Sequence, residues 1–282
     1  MAGFTSTYQG FRTLFVYLFL MLSFGLSKAN HINGVDLHYT CLDPCTVRVQ
    51  SNIYLNCVGS WVLVGYPQVE YDTLNCPALT MVSNSPVIIN DVTPSCPTTF
   101  NSCTSPQSSI YGHQLWSFYR DYVSCNLPAT CDYTFSFTTC CRNPADLTLS
   151  PSGQDFYVEG PTLPGGPTAC NNTPTRPIGY GRMFCENQTN QINLGAYDLD
   201  GDSLAYALTP CKDSPNTPLT YAPGYSPAQP FGPGYNLQLN ATTGLLTIAP
   251  QATNNLSLYT LCLTTEEWRN GQLLGTVMRE YA

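Results

Sequence analysis

The residues best suited to chemistry form a short acidic cluster in the last third of the chain. Three carboxylates stand at alternate positions in the segment DLDGDS, which runs from Asp198 to Ser203. Like charges this close repel one another unless a cation or solvent screens them. Ca²⁺ takes six to eight oxygen ligands, several of them carboxylates, and tolerates irregular loops. Because Gly201 allows the necessary bend, the spacing predicts a calcium site at Asp198, Asp200 and Asp202.

This cluster does not follow the EF-hand pattern, and a second interpretation stays open. The glycine is the fourth residue of the motif rather than the sixth, and the twelfth is Thr209, which cannot supply a bidentate carboxylate. The alternative is an acidic β-turn with solvated side chains. Further calcium ligands would have to come from Glu266, Glu267 or a neighbouring domain.

Sequence patterns of catalytic sites do not occur in this chain. There is no G-x-S-x-G, no H-E-x-x-H, no phosphate-binding loop and no dinucleotide fingerprint. His38 and His113 lack recognisable partner motifs and are better explained as core or surface residues. We therefore predict a protein without enzymatic activity. Glycoside hydrolysis depends on a carboxylate separation in three dimensions, so carbohydrate processing remains an alternative.

The first 29 residues have the layout of a secretory signal peptide. Arg12 precedes an apolar run from Leu14 to Leu22, and the small residues Ser27 and Ala29 flank Lys28 with the spacing that signal peptidase accepts. The stretch between Arg12 and Lys28 is shorter than the ~20 residues that span a bilayer. We predict cleavage after Ala29 and a secreted or cell-surface protein without a transmembrane span. An uncleaved membrane anchor is the alternative.

The composition favours strands and excludes a nucleic-acid partner. Charged residues make up 10% of the chain, against about 25% in an average soluble protein. Exposed helix faces need Glu, Lys and Arg, whereas the Thr, Ser, Asn, Tyr, Pro and Gly that replace them suit strands and turns. The net charge is −8, and Lys212 is the one lysine beyond the predicted signal peptide. Nucleic-acid binding requires clustered Lys and Arg.

The cysteines predict a set of disulfides. All 14 follow the predicted signal peptide, and an even number in an exported chain indicates disulfides rather than thiols. No C-x2-C arrangement is repeated and the three histidines are not spaced as ligands, which argues against zinc. Proximity and strand logic suggest three pairings: Cys96 with Cys103, Cys125 with Cys131, and Cys211 with Cys262.

Short alternating segments between turn residues predict an all-β fold. In the segment 131–140, Tyr133, Phe135 and Phe137 share one face, as in a half-buried strand. Asn270-Gly271 is a strong hairpin signal. Because residues 151–177 are rich in Pro and Gly, we predict two consecutive β-sandwich (Ig-/cadherin-like) domains. These are a disulfide-rich sandwich at 30–160 and an Ig-/cadherin-like sandwich at 161–282 with a Pro/Gly-rich lead-in, both after a signal peptide at 1–29.

The segment from Tyr221 to Tyr235 is the preferred contact surface. It is a predicted long loop with several aromatic residues, and we expect their rings to be exposed. Exposed aromatic rings stack on sugars or anchor protein partners. Packing in the core is the alternative.

Five stretches of the chain together resemble a known group of proteins. They are His31–Cys41, Cys140–Asn143, Leu194–Leu208, Arg269–Gly271 and Leu274–Arg279. In this order they resemble the N-terminal region of large secreted surface proteins of Bacteroidota. Such proteins commonly carry Ig-like, PKD or cadherin-like modules and often end in a gliding-motility-associated sorting domain read by the type IX secretion system.

The resemblance implies an adhesive or matrix role at the cell surface. By similarity to calcium-binding cadherin-like repeats, it assigns Ca²⁺ to Asp198, Asp200 and Asp202. The chain departs from the group in two ways, because Asn33 stands where a second glycine is expected and the sorting domain is absent.

We therefore expect a non-enzymatic adhesion or structural module that forms the N-terminal part of a larger surface protein. Its expected partners are a cell-surface or matrix protein or glycan, and downstream domains of the same chain. A carbohydrate-binding or carbohydrate-processing component and a passive structural spacer are the alternatives.

Overall fold

The computed structural model describes most of the chain beyond the predicted signal peptide. The predicted signal peptide itself lies outside the described residues, as do Cys96, Cys140 and Cys141. The described ranges are 32–57, 68–71, 74–93, 100–105, 107, 112–139, 142–143, 146–166, 171–176, 188–249 and 258–281. Within these ranges the chain forms strands and turns without a helix. The predicted all-β class is therefore confirmed.

The described residues contain sixteen strands. In chain order they are β1 (Ile32–Asp43), β2 (Thr46–Asn56), β3 (Gln68–Glu70), β4 (Met81–Asn84), β5 (Ile88–Asp91), β6 (His113–Val123), β7 (Asp132–Thr139), β8 (Phe156–Pro164), β9 (Asn190–Asn193), β10 (Ser203–Thr209), β11 (Lys212–Ser214), β12 (Thr217–Pro218), β13 (Asn236–Leu239), β14 (Leu245–Ala249), β15 (Leu261–Arg269) and β16 (Gln272–Tyr281).

An eight-stranded antiparallel sheet, here called the shared sheet, runs through the molecule. Its order is β10-β15-β16-β1-β2-β6-β4, and β5 also pairs with β6. A five-stranded sheet has the order β12-β11-β8-β7-β3, and a three-stranded sheet has the order β13-β14-β9. The shared sheet therefore contains strands from both predicted domains.

One face of the shared sheet packs against the five-stranded sheet. Val35 and Ile53 of the shared sheet form one core cluster with Phe137 and Val158 of the five-stranded sheet. The predicted aromatic face of β7 is confirmed, because Tyr133, Phe135 and Phe137 are fully buried. Side chains alternate between the faces of a strand, so the hydroxyl residues of β7 point the other way.

The opposite face of the shared sheet packs against the three-stranded sheet. Leu263 of β15 clusters with Leu246 and Ile248 of β14. Leu263 lies opposite Arg279, whereas its neighbour Cys262 lies opposite Glu280, and Glu280 in turn lies opposite Val35. Successive residues of a strand point to opposite faces, so the two small sheets cover opposite sides. The described residues thus form a disulfide-rich β-sandwich fold, as predicted.

The predicted division at residue 160 does not coincide with a break in the sheets. Strand β8 runs through it, and a β-bulge lies where the register with β7 shifts between Thr134 and Ser136. Gly160 lies at this bulge, and a Cβ on it would come within 2.8 Å of the Leu37 side chain. Pro161 is tolerated because bulges leave ladder positions unpaired. Close packing therefore accounts for Gly160 and the β-bulge for Pro161, where composition alone suggested a connector.

Four disulfides cross-link the described residues. The predicted pair Cys211–Cys262 is confirmed, and it joins the end of β10 to β15. The predictions for Cys103, Cys125 and Cys131 are wrong. The observed pairs are Cys45–Cys125, Cys57–Cys103 and Cys76–Cys131.

Strand register explains two of these pairings. Thr46 lies opposite Val123, and Asn56 lies opposite His113, so the ends of β2 and β6 adjoin. Cys45–Cys125 and Cys57–Cys103 are formed by cysteines beyond these ends. Proximity along the chain was a poor guide because the sheet brings together residues 46 to 80 positions apart.

A buried ion pair fastens β16 to β1 on the side that faces the three-stranded sheet. Arg279 is 1% exposed, and its Nε donates to Asp36 Oδ1 at 2.6 Å. Its Nη2 donates to the carbonyl of Pro174 at 2.9 Å. Burial by itself would raise the pKa of Asp36, but Arg279 beside it holds that pKa below its usual value. The carboxylate is therefore ionised and paired inside the fold.

We predict that breaking this pair is much more damaging than breaking an exposed one. Asp36→Asn leaves a buried guanidinium without its counter-ion, which costs about 3–5 kcal/mol. Lys212→Gln breaks the pair between Lys212 and Glu159, whose side chains are 30% and 39% exposed, and costs at most about 1 kcal/mol. Urea unfolding at neutral pH measures both free energies. Equal losses for the two variants would contradict the structural role of Arg279.

Candidate functional site

The acidic cluster predicted from the sequence is a tight loop between β9 and β10. Asp198 organises it, because its Oδ1 accepts the backbone N–H groups of Asp200 at 2.9 Å and of Asp202 at 3.0 Å. Such carboxylate-to-backbone bonds define Asx turns. Gly201 has a φ of 84°, a conformation that residues with a side chain seldom adopt. Gly201 therefore allows the bend, as the sequence predicts.

The loop brings the three predicted site residues together. One carboxylate oxygen from each of Asp198, Asp200 and Asp202 lies within 4.8 Å of the others. Exposure differs among them, since the Asp200 side chain is 25% exposed whereas the Asp202 side chain is only 4% exposed. The three carboxylates therefore lie close together although they repel one another, and this arrangement requires a positive charge nearby.

Arg269, at the end of β15, supplies a positive charge inside the loop. Its Nε donates to Asp202 Oδ1 at 2.7 Å and its Nη2 to Asp202 Oδ2 at 2.6 Å. The same Nη2 lies 3.6 Å from Asp200 Oδ2. These bonds from Arg269 lower the pKa of Asp202 below its usual value. No local sequence pattern points to this partner, because Arg269 lies 67 positions away from Asp202.

Two asparagines close the loop from the other side. The backbone N–H of Asn172 donates to Asp200 Oδ2 at 2.7 Å, and its Nδ2 donates to Asp200 Oδ1 at 3.0 Å. Asn171 Oδ1 accepts from Arg269 Nη2 at 2.7 Å. Both belong to the segment 171–176, which we call the crossing segment. It lies beside β1, because Thr173 exchanges hydrogen bonds with the backbone of Tyr39.

Glu267 is a fourth carboxyl beside the cluster, and it is buried. It is 2% exposed, and its Oε1 accepts from Asn171 Nδ2 at 2.6 Å. Burial raises the pKa of Glu267 to about 8, and the nearby Asp202 and Asp198 add to the effect. The sequence predicts Glu267 only as a further calcium ligand and not as a buried carboxyl. Its burial follows from the alternation of β15, in which Leu263, Thr265 and Glu267 face inward.

The residues fit Ca²⁺ in type, but most of their oxygens already have partners. Both oxygens of Asp202 accept from Arg269, and both oxygens of Asp200 accept from Asn172. Asp198 Oδ2 is buried without a hydrogen-bond partner. A calcium ion at this loop would therefore use Asp198 and compete with Arg269 and Asn172 for the other two carboxylates. Calcium binding at Asp198, Asp200 and Asp202 stays a prediction.

The two histidines considered for chemistry lie apart from the acidic loop. His38 is 4% exposed, and its Nδ1 lies 3.9 Å from Asp36 Oδ2. Burial lowers the pKa of His38, which favours the neutral imidazole beside Arg279. His113 Nδ1 lies 2.9 Å from Asn33 Nδ2. Both positions agree with structural histidines.

The segment Tyr221–Tyr235 does not present its rings as predicted. Phe231 is 6% exposed, and its ring centroid lies 5.3 Å from that of Tyr259. The Tyr235 ring also packs on Tyr259, at 6.1 Å. The Tyr221 hydroxyl accepts the backbone N–H of Cys211 at 3.0 Å. Glycines with positive φ at positions 224, 232 and 234 fold the segment back on itself, so its rings extend the core.

Comparison with protein-family models, with curated proteins and with solved structures finds no match for this chain. The resemblance to Bacteroidota surface proteins therefore rests on the chain's own motifs and stays a prediction. Among the described residues, no helix has the length and apolar character needed to cross a membrane.

Calcium titration tests the acidic loop directly. We expect Ca²⁺ at about ten times a millimolar Kd to stabilise the chain by roughly 1.4 kcal/mol, which raises Tm by about 3–6 °C. Asp200→Asn should abolish the rise, because it removes one of the converging carboxylates. Asp132→Asn, an exposed residue at the start of β7, is the matched control and should keep it. A wild-type Tm that Ca²⁺ leaves unchanged would refute the calcium site.

The buried Glu267 predicts a pH dependence that can be isolated by substitution. Its pKa rises on folding from 4.5 to about 8, so the folded chain holds a proton that the unfolded chain has lost. Stability is therefore lost as pH rises through this interval. Glu267→Gln removes the titration, and its stability relative to wild type should increase by on the order of 3 kcal/mol between pH 5 and pH 8.

Urea unfolding in the presence of EDTA measures this difference without interference from calcium. Glu266→Gln, on the other face of the same strand, is the matched control, and the change between pH 5 and pH 8 should be much larger for Glu267→Gln than for this control. A Glu267→Gln change no larger than that of the control would show that Glu267 is ionised in the folded chain.

Proposed function

We propose that this chain is an exported, non-enzymatic β-sandwich module with an adhesive or structural role at the cell surface. The observation that carries the proposal is the disulfide network. Within the part of the chain that the structure describes, four disulfides join residues that are 46, 51, 55 and 80 positions apart. Such bonds persist in oxidising, extracytoplasmic environments and are rare in the cytosol. This agrees with the signal peptide expected at the N-terminus.

The disulfides stabilise the core of the fold and do not form a reactive centre. Cys76–Cys131 lies in the core between the shared sheet and the five-stranded sheet. Cys211–Cys262 lies in a second core cluster with Leu149 and Met278. A disulfide that closes a loop of this length lowers the conformational entropy of the unfolded chain. It thereby stabilises the folded chain by about 4 kcal/mol per bond. A rigid scaffold suits a module exposed outside the cell.

The ionisable groups of the site also support a structural role. Asp200 and Asp202 are held by Asn172 and Arg269, and Glu267 is held by Asn171. A catalytic acid or base must reach the proton that it transfers, whereas these groups point toward one another. This supports a non-enzymatic module.

Two finer parts of the proposal concern context and cofactor. The module is the N-terminal part of a larger surface protein, and its partners are a surface or matrix protein or glycan. Ca²⁺ at Asp198, Asp200 and Asp202 stabilises the loop that joins β9 to β10. The first part is supported by the motif resemblance and the second by the convergence of the three carboxylates.

Export is tested on cells that make the full chain. We expect a mature N-terminus at Asn30, disulfide-bonded cysteines, and digestion of the chain when protease is added to intact cells. A cytosolic protein probed in the same cells is the control and should survive. An uncleaved chain that resists the protease and carries reduced cysteines would refute the proposal.

Binding of the oxidised, purified chain to glycan arrays and to cell or matrix surfaces separates the alternatives. Adhesion requires saturable binding to a surface that is lost when the disulfides are reduced. Selective binding to one sugar class would favour the carbohydrate-binding alternative. No binding to any surface would favour the passive spacer.

A further inference from the structure

The outer edge of the shared sheet is one strand interrupted in the middle. Strand β4 pairs with the end of β6, at Arg120 to Tyr122, and β5 pairs with its beginning, at Gln114 to Ser117. Between them Ser85 N–H donates to the carbonyl of Tyr119 at 3.1 Å. The segment 81–91 therefore follows β6 along its whole length, and we call it the edge strand.

This edge strand exposes apolar side chains along an open edge. All residues of β4 and β5 are exposed. The apolar residues among them are 48–60% exposed: Met81, Val82, Ile88 and Ile89. Among the described residues, no further strand pairs with β4 or β5 beyond β6. An open edge lined with apolar side chains is a template for pairing with another strand.

The edge strand also lacks the charges that usually prevent such pairing. Natural edges are protected by charges, by proline, by β-bulges or by short strands. This edge has Pro86 and a β-bulge between Met81 and Ser83, which shorten its ladders, but it has few charges. The segment 81–91 contains one charged residue, Asp91, in a chain with a net charge of −8. The Asp91 carboxylate accepts hydrogen bonds from Thr93 and Asn101, so it is occupied within its own chain. This edge is therefore a place where a second negatively charged copy can approach.

The spacing of the apolar residues indicates that the partner of the edge strand is a second copy of this chain. Val82 and Ile88 are placed symmetrically about Ser85, and so are Met81 and Ile89. Two copies that pair antiparallel across a twofold axis at Ser85 bring Val82 against Ile88 of the second copy. The same axis brings Met81 against Ile89. Twofold interfaces are self-complementary in this way, and apolar pairs directly opposite across strands stabilise the pairing.

We propose that the edge strand joins two copies of this chain through antiparallel strand pairing about Ser85. Pro86 lies beside the axis and has no N–H to donate, so the pairing consists of two short ladders on either side of it. This division matches the interruption between β4 and β5. The two shared sheets then continue into one another, and the dimer presents two modules to a surface, which raises avidity.

Sedimentation equilibrium of the oxidised, mature chain over a wide concentration range tests the proposal. We expect a reversible dimer. Val82→Lys with Ile88→Lys places like charges opposite one another and should raise the dimer Kd by at least about tenfold. Leu42→Lys replaces an apolar residue that is 46% exposed and lies outside the edge strand. It is the matched control and should leave the Kd unchanged.

A charge swap tests the register. Val82→Lys with Ile88→Glu places opposite charges across the axis and should restore the Kd to within about threefold of wild type. Hydrogen exchange adds a measurement that needs no substitution, because the amides of residues 81–91 should gain protection as concentration rises. A chain that is monomeric at every concentration overturns the proposal. So does a Kd that is the same for the double-lysine and charge-swap variants.

Discussion

The pairing of β1 with β16 is the constraint on which the rest of the structure depends. Two consecutive residues of β16, Arg279 and Glu280, have opposite charges and point to opposite faces of the shared sheet. Arg279 meets Asp36, 243 positions away, and Glu280 meets Arg142, 138 positions away. Both pairs are buried, and a buried charge without its partner is costly. The last strand therefore fits only when both distant partners are in place, and this links the two sandwiches into one sheet.

The crossing segment carries this constraint to the acidic loop. Pro174 accepts from Arg279, Thr173 bonds to β1, and Asn172 bonds to Asp200. Arg269 balances the carboxylates of the loop much as Arg279 balances Asp36, although its side chain is 37% exposed. Solvent screens the outer pair more than the inner one. The side chain of Arg269 is thus the part of this network that solvent reaches more than it reaches Arg279.

Local sequence patterns predicted the elements whose cause is local. The aromatic face of β7 and the hairpin turn at Asn270-Gly271, where both φ angles are positive, follow from alternation and turn chemistry. The Asx turn at Asp198 is equally local. The partners Arg269 and Asn172 could not be predicted, because they reach the loop only through the shared sheet and the crossing segment. The same reason explains why proximity failed for Cys103, Cys125 and Cys131 while strand logic succeeded for Cys211 and Cys262.

The two edges of the shared sheet differ in how the chain treats them. At one edge the backbone N–H of Tyr206 in β10 donates to the carbonyl of Ala241 at 2.8 Å, so the turn after β13 covers that edge. At the other edge, β4 and β5 keep exposed apolar side chains. An unprotected edge is a hazard that folded proteins normally remove by charge, proline or cover. Pro86 and the β-bulge at Val82 shorten the ladder at this edge but leave its apolar side chains uncovered, and this exposure is the reason to propose an interface there.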